Sequence, residues 1–179
     1  MKKTIITGGL GYIGTELCKI YSGVSWSHKI TVIDNRFISE RINQLRNWNI
    51  DFVHGDILDK SLINKYCKDA DIVHHLAGIT DVPKVKKDSN DSIDNQIILV
   101  GEKGTQNILD VISDKCKIIF PSTHVVYEGL EKVKNNINEE EGTKPVLAYA
   151  ISKANNEKQL KESGKNYIIL RLGSVYGYS

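Results

Sequence analysis

The chain has 179 residues, enough for one domain with a buried core, and its hydrophobic fraction of 40% is ordinary for a soluble globular protein. Its 24 basic and 22 acidic side chains nearly cancel and are interleaved, which excludes the charge blocks of nucleic-acid-binding or membrane-surface proteins. The three cysteines are widely spaced and no apolar run is long enough for a signal peptide or a membrane span, so we expect a soluble, cytoplasmic protein with reduced thiols and no metal site.

Short apolar runs alternate with longer amphipathic stretches along the chain. The runs that predict strands lie at residues 4–7, 30–33, 51–53, 72–75, 118–120 and 167–170. The stretches that predict helices lie at residues 12–22, 39–48, 60–68, 93–113 and 148–162. Several predicted strands carry apolar β-branched residues at consecutive positions, as expected where helices cover both faces of a sheet. The alternation predicts an α/β fold with a doubly wound parallel sheet and right-handed crossovers.

Two polar stretches interrupt this alternation, at residues 83–94 and 131–144. Both are rich in charged and polar residues and lack apolar periodicity, so we interpret them as loops. Long loops of compact domains often face a substrate, but for most residues of the second stretch a solvated connector is an equally good interpretation.

The first predicted strand leads directly into Thr7-Gly8-Gly9-Leu10-Gly11-Tyr12-Ile13-Gly14, and the first predicted helix follows. In such a turn Gly8 allows the tight bend, Gly11 lets the backbone approach a pyrophosphate, and Gly14 lets the helix pack closely on the strand. The helix N-terminus offers unpaired N–H groups and partial positive charge to phosphates. The pattern predicts a dinucleotide site, and an ordinary tight strand–helix turn is the alternative.

An acidic residue, Asp34, lies 20 residues beyond Gly14, at the end of the second predicted strand. A carboxylate there accepts hydrogen bonds from both ribose hydroxyls and repels a 2′-phosphate, which favours NAD over NADP. Arg36 leaves an alternative open, since an arginine at this place can bind a 2′-phosphate. We interpret it instead as a solvated loop residue or as a side chain that stacks on adenine.

Tyr149 and Lys153 are four residues apart at the start of a predicted helix and therefore share one face. A free phenol, with a pKa of about 10, is a poor base near neutrality. The lysine ammonium, helped by the positive charge of a nicotinamide, favours the phenolate, which can exchange a proton with a substrate hydroxyl. Lys153 can also hold the nicotinamide ribose. A pair on the helix surface without any catalytic role is the alternative.

Hydroxyl groups follow the fifth predicted strand, where open α/β sheets place their ligand crevice. Ser122, Thr123 and also His124 can donate to the reacting oxygen or relay a proton on geometry alone. The alternative for serine and threonine here is capping or turn chemistry.

Together these motifs resemble the extended short-chain dehydrogenase/reductase family, and within it the NAD-dependent epimerase/dehydratase group. The matching segments span nearly the whole chain in family order: Thr7 to Gly14, Asp34-Asn35, Gly55-Asp56-Ile57, His75-Leu76-Ala77-Gly78, Gly104-Thr105-Gln106-Asn107-Ile108-Leu109, Ser122-Thr123 with Val126-Tyr127, Tyr149 with Lys153, and Arg171 with Val175-Tyr176-Gly177. The resemblance implies a Rossmann-type sheet and NAD as cofactor.

The resemblance also implies residue roles. The catalytic residues would be Thr123, Tyr149 and Lys153. The cofactor-binding residues would be Gly8, Gly11, Tyr12, Ile13, Gly14, Asp34, Asn35, Asp56, Ile57, Leu76, Ala77, Gly78, Ser122, Tyr149 and Lys153, with Asp56 and Ile57 at the adenine. The substrate-binding residues would be Thr80, Thr123, Tyr149 and Ser174.

The implied activity is that of an NAD-dependent nucleotide-sugar epimerase, acting through a keto-sugar intermediate. Family dehydratases carry an Asp-Glu pair directly after the catalytic threonine, where this chain has His124 and Val125. Dehydration needs an acid and a base, so we expect a 4-epimerase-like enzyme and not a dehydratase or a related decarboxylase. The alternatives are an NAD-dependent reductase or dehydrogenase of a keto sugar, one acting on another small hydroxyl substrate such as a hydroxysteroid or dihydroflavonol, and a non-catalytic NAD sensor.

Other positions depart from the family pattern. Gly101 replaces the asparagine that supports the active-site helix, for which Asn95 is a possible substitute, and Ser174 replaces a substrate-binding asparagine. Family members continue into a last strand and a smaller substrate domain. We therefore expect residues 1–179 to be a truncated Rossmann domain that lacks the C-terminal substrate domain. The resemblance also implies a possible homodimer through the helices that bear Asn107 and Tyr149.

Overall fold

One parallel sheet forms the centre of the molecule, as seen in a computed structural model that describes residues 1–24, 26–80, 90–131 and 134–177. Its strands are β1 (Lys2–Thr7), β2 (His28–Asp34), β3 (Asp51–His54), β4 (Ile72–His75), β5 (Lys117–Thr123) and β6 (Asn166–Leu172). They lie in the order β3-β2-β1-β4-β5-β6, and every neighbouring pair is parallel. The order reverses between β1 and β4, where Thr7 lies beside both Ile33 and His75. This confirms the doubly wound fold of the Rossmann type.

Five helices cover the sheet within the described part of the chain. They are α1 (Tyr12–Ser22), α2 (Ser39–Asn47), α3 (Lys60–Cys67), α4 (Asp91–Leu109) and α5 (Ala148–Glu162). The core shared with α1 and α2 contains Ile6, Cys18 and Leu45. The core shared with α3, α4 and α5 contains Ile5, Ile63, Ile108 and Leu160. Because consecutive strand residues point to opposite faces, the adjacent Ile5 and Ile6 are both buried, which explains the continuous apolar runs.

The helix predicted at residues 93–113 is shifted and shortened. It begins at Asp91, because the side chain of Asn90 accepts the N–H of Ser92 at 2.9 Å and caps the first turn. Val111 and Ile112 continue the apolar pattern, but they lie in a turn beyond the helix end. The loop predicted at residues 83–94 is therefore wrong for 91–94, while 83–89 lie outside the described residues.

The strand predicted at residues 118–120 is longer than expected. It runs to Thr123, because its pairing with β6 continues to the partners Thr123 and Leu172. One turn of 3-10 helix, His124–Tyr127, follows it and was not predicted. In the predicted loop at 131–144, the described residues 134–144 form no helix or strand.

No helix among the described residues is long and apolar enough to cross a membrane.

Candidate functional site

A cavity of about 770 Å³ lies across the carboxyl ends of the strands, where open α/β sheets bind their ligands. The predicted site residues that line it are Gly8, Gly11, Tyr12, Ile13, Gly14, Asp34, Asn35, Asp56, Ile57, Leu76, Ala77, Gly78, Thr80, Ser122, Thr123, Tyr149 and Lys153. Ser174 is exposed and is not among the lining residues, although Gly173 and Val175 are. The structure thus brings the residues predicted for the cofactor and for catalysis around one cavity.

The glycine turn between β1 and α1 is held by close backbone approaches. Gly8 has a φ of +71°, and a Cβ added to it would lie 2.6 Å from the backbone nitrogen of Ala77. A Cβ on Gly14 would lie 2.6 Å from the carbonyl oxygen of Gly8. Gly11 is the N-cap of α1 and makes no side-chain cap, so the first N–H groups of the helix face the turn without a competing side chain. This cradle fits a pyrophosphate.

Asp34 is buried at the end of β2 and fully engaged. Its side chain is 3% exposed, and it accepts the N–H of Leu10 at 2.9 Å and that of Arg36 at 3.0 Å. The Arg36 guanidinium adds Nε–Oδ1 and Nη2–Oδ2 hydrogen bonds, both at 3.2 Å. Arg36 is an exposed residue of the loop after β2, as expected, and its guanidinium also caps the Asp34 carboxylate, which was not predicted. Stacking of Arg36 on an adenine stays a prediction.

The wall beyond Asp34 is built by the loop after β3. Asn35 donates to the Asp56 carboxylate at 3.0 Å, and the other carboxylate oxygen accepts the N–H of Leu58 at 2.8 Å. The buried Asn107 of α4 donates to the carbonyl of Ile57 at 2.9 Å. These bonds fix Asp56 and Ile57 at the cavity, and their contact with an adenine stays a prediction.

Lys153 of α5 is turned toward the end of β5. Its Nζ donates to the carbonyl oxygen of Pro121 at 2.9 Å and lies 4.4 Å from the ring centroid of Phe120. The distance from Nζ to the ring centroid of Tyr149 is 5.8 Å. Burial lowers the pKa of Lys153 to about 8 and raises the pKa of Tyr149. Burial is the cause of the raised Tyr149 pKa, and the Lys153 ammonium is bound to the Pro121 carbonyl. The expected stabilisation of the phenolate, which also relies on the charge of a nicotinamide, stays a prediction.

Thr123 and Ser122 use their hydroxyls differently. The Thr123 oxygen accepts the N–H of Val125 at 3.2 Å, so the predicted capping role is real, but a hydroxyl that accepts still has its hydrogen to donate. The Ser122 hydroxyl donates its hydrogen to Glu157 at 2.6 Å. His124 is exposed, and its Nδ1 lies 3.2 Å from the carbonyl oxygen of Leu172. Of the three candidates, Thr123 is the one that lines the cavity with its hydrogen uncommitted.

A buried ion pair next to Ser122 of β5 was not predicted. Glu157, with a side chain 3% exposed, accepts from Arg171 Nε at 2.9 Å and Nη2 at 2.6 Å, besides Ser122. Arg171 also donates to the Tyr127 hydroxyl. Burial raises the pKa of the Glu157 carboxyl, but the hydrogen bonds and charge of Arg171 and the Ser122 bond outweigh it, so the pKa lies below its ordinary value. The signal in the sequence was the spacing: Glu157 is four residues after Lys153, one turn along the same face.

The start of α5 is tied to the segment after β5. The Glu128 carboxylate accepts the N–H groups of Val146 and Leu147, both at 2.7 Å. The Gly129 N–H donates to the Lys144 carbonyl at 2.8 Å. These contacts hold the strand end that carries Thr123 to the helix start that carries Tyr149.

Two further features differ from expectation. A Cβ on Gly101 would collide with the hydroxyl of Ser152, so the missing asparagine is replaced by close packing of α4 on α5. Asn95 is exposed and does not take over that place. Arg41 was missed: it lines the cavity from α2 and donates to the carbonyl of Leu10.

Comparison with known proteins identifies the family of the chain. The model of the NAD dependent epimerase/dehydratase family matches residues 4–179. The chain is 32% identical to the dTDP-D-glucose 4,6-dehydratase of Dictyostelium discoideum, over 99% of this chain and 44% of that protein.

Two solved structures have the same fold. The crystal structure of the Bordetella bronchiseptica enzyme WbmH in complex with NAD+ superposes with a TM-score of 0.81 at 27% identity, covering 99% of this chain and 57% of that one. The crystal structure of UDP-glucuronic acid 4-epimerase from Bacillus cereus in complex with UDP-glucuronic acid and NAD gives a TM-score of 0.76 at 26% identity. The match covers 94% of this chain and 55% of that one. The chain thus spans about half the length of these relatives. Its sequence, fold and site place it in the NAD-dependent epimerase/dehydratase family.

Proposed function

We propose that the chain is the NAD-binding domain of an enzyme that epimerises a nucleotide sugar through a keto-sugar intermediate. One observation carries the proposal: Thr123, Tyr149 and Lys153 line the same cavity as the glycine turn and Asp34. These three candidate catalytic side chains lie at one end of a cleft whose other end suits an adenosine diphosphate, which supports the proposal.

The residues present fit NAD. The turn from Gly8 to Gly14 would hold the pyrophosphate, Asp34 the adenosine ribose, and Asp56 with Ile57 the adenine. NAD, when bound, supplies two-electron oxidation of the substrate carbon and its reversal. Relatives with this fold were crystallised with NAD.

Proton handling falls to the side chains at the β5 end. Tyr149 would take a proton from the substrate hydroxyl, and Thr123 would donate a hydrogen bond to the same oxygen. Because burial raises the pKa of Tyr149, the phenolate would depend on positive charge nearby. Lys153 would supply such a charge, and bound NAD would add that of its oxidised nicotinamide.

The chain's own residues favour epimerisation over dehydration. The places directly after Thr123 hold His124 and Val125, neither of which is a carboxylate. The next carboxylate along the chain, Glu128, is occupied by the N–H groups of Val146 and Leu147. Similarity to both a dehydratase and a 4-epimerase is compatible with this proposal, because the two reactions share the same initial oxidation.

We also propose a cytoplasmic setting, supported by three buried free cysteines, Cys18, Cys67 and Cys116. Burial raises the pKa of each thiol, to about 12 for Cys18 and Cys67 and to about 11 for Cys116, which keeps them unreactive.

The test is turnover by the full-length protein with a panel of UDP-, GDP-, CDP- and dTDP-sugars, followed by the variant Tyr149→Phe. We expect at least one sugar to epimerise and Tyr149→Phe to lower turnover by about 10²–10⁴-fold while NAD still binds. Tyr167→Phe, at an exposed position of β6, is the control. Full activity in Tyr149→Phe would remove that residue from the mechanism. A protein that binds NAD but changes no sugar would be a sensor instead.

A further inference from the structure

The Arg36 guanidinium covers the acceptor atoms that the cofactor's ribose is expected to use. An ionised carboxylate offers about four lone-pair positions. In Asp34 all four are taken, by the N–H groups of Leu10 and Arg36 and by Nε and Nη2 of Arg36, at 2.9 to 3.2 Å. Only 3% of the Asp34 side chain is exposed, so access to it depends on the group above it.

Two of these four donors are fixed and two are movable. The N–H groups belong to the backbone of the glycine turn and of the β2 end, which the sheet holds in place. The guanidinium is on a flexible side chain that is 51% exposed, and its Nη2 lies 3.6 Å from where a Cβ of Gly11 would be. Arg36 therefore reaches back over the turn and can also swing into solvent.

We infer that the Arg36 guanidinium competes with the adenosine ribose for the Asp34 carboxylate. Arg36 thereby lowers the affinity for NAD and weakens the discrimination against NADP. This inference rests on the proposed NAD site. Two ribose hydroxyls replace the two guanidinium contacts when NAD binds, so part of the binding free energy is used to separate Arg36 from Asp34. A 2′-phosphate has the opposite effect, because it is repelled by Asp34 and attracted by the displaced guanidinium.

Removing Arg36 should consequently change the affinities for NAD and NADP in opposite directions. In Arg36→Met we expect NAD to bind about two- to fivefold more tightly, the range for an ion pair whose cation is half exposed to solvent. We expect NADP to bind about threefold more weakly, or worse, since its phosphate loses its cation while Asp34 remains. General damage to the cavity would weaken both.

The experiment is calorimetric titration of the full-length protein, stripped of cofactor, with NAD and with NADP. Arg46→Met is the matched control, because Arg46 is exposed in the last turn of α2 and does not line the cavity. Titrations at low and high salt add a second readout. Screening weakens the Arg36–Asp34 pair, so the NAD difference between wild type and Arg36→Met should shrink as salt rises.

The outcomes separate this inference from the proposed function. Opposite shifts for the two cofactors, absent in Arg46→Met, support competition. Unchanged or weaker NAD binding in Arg36→Met overturns it, because the guanidinium would then be neutral or a contact of the bound cofactor. Failure of both proteins to bind NAD would overturn the proposed function, and this inference with it.

Discussion

The two ends of the cavity are built from different parts of the chain. At the β1 end the wall is backbone: Gly8 approaches Ala77 so closely that a Cβ would lie 2.6 Å from its nitrogen. At the β5 end the wall is held by side chains, in which Glu157 joins Ser122 of β5 to Arg171 of β6. The β1 end depends on glycines, whose lack of a Cβ allows the close backbone approach. The β5 end depends on the pairing of the Glu157 and Arg171 charges.

The difference determines how each end can fail. A backbone cradle has no polar side chain to lose and is disrupted by added volume. A buried carboxylate is disrupted by removing its partner or itself, because the remaining charge is left without compensation in a medium of low polarity. The two ends therefore respond to opposite kinds of substitution.

The largest expected effect is at the side-chain end. We predict that Glu157→Ala lowers the free energy of unfolding by about 3–5 kcal/mol, since it leaves the Arg171 guanidinium without its carboxylate. Arg171 has a side chain only 10% exposed, so water compensates poorly. Urea denaturation monitored by circular dichroism measures the change.

The control lies on the same helix. Glu162 pairs with Lys158 at 3.9 Å, both of them largely exposed, so Glu162→Ala should cost less than about 1 kcal/mol. Glu157→Gln keeps an acceptor oxygen for Ser122 and should fall between the two. Equal stability of Glu157→Ala and Glu162→Ala would show that the network is not what holds this end.

At the backbone end we predict a smaller loss. Gly8→Ala should cost about 2–4 kcal/mol, the sum of a strained φ of +71° and a clash with the backbone of Ala77. Gly142→Ala, where a Cβ meets nothing within 4 Å, is the control. Thermal unfolding compares the two variants. NAD affinity, measured alongside, should fall in Gly8→Ala more than the loss of folded protein explains.

The same contrast decides what the sequence could reveal. The cradle is local, so the spacing of Gly8, Gly11 and Gly14 predicted it before any tertiary contact was known. The pair of Glu157 with Ser122 spans 35 residues. The spacing from Lys153 indicates which face of α5 carries Glu157, but no local pattern specifies its partner. Both termini of α5 were predicted correctly, which placed Tyr149 and Lys153, but the direction of the Lys153 side chain was not predictable. It depends on where the Pro121 carbonyl lies across the sheet.

Arg36 shows the same limit at short range. Its side-chain direction depends on whether the buried Asp34 carboxylate has unfilled acceptor positions. The number of unfilled positions cannot be predicted from the sequence. Gly9 was likewise given no role, yet a Cβ there would lie 2.6 Å from Val32 of the neighbouring strand.

The smallest expected effect concerns His75, which contacts residues at both ends of the cavity. His75 is buried, with Nδ1 2.9 Å from the Thr7 hydroxyl beside the cradle and Nε2 3.0 Å from the Thr105 hydroxyl of α4. Its ring also packs against Phe120 of β5, with the two ring centroids 5.7 Å apart. Burial lowers the pKa of His75 to about 3, and that of His74 to about 4, so both rings are neutral in the folded chain.

Because these folded-state pKa values lie below the unfolded value of 6.5, the unfolded chain binds more protons in acid. Stability contributed by neutral His75 is complete above pH 6.5 and falls as pH drops from there toward 3, by about 1.4 kcal/mol per pH unit. His75→Gln should lose this component, so its unfolding free energy changes less steeply between about pH 5.5 and 4.5 than that of wild type. Parallel pH profiles for wild type and His75→Gln would mean that the His75 ring is protonated in the folded chain as well. A neutral ring between the Thr7 and Thr105 hydroxyls would then be the wrong description of this position.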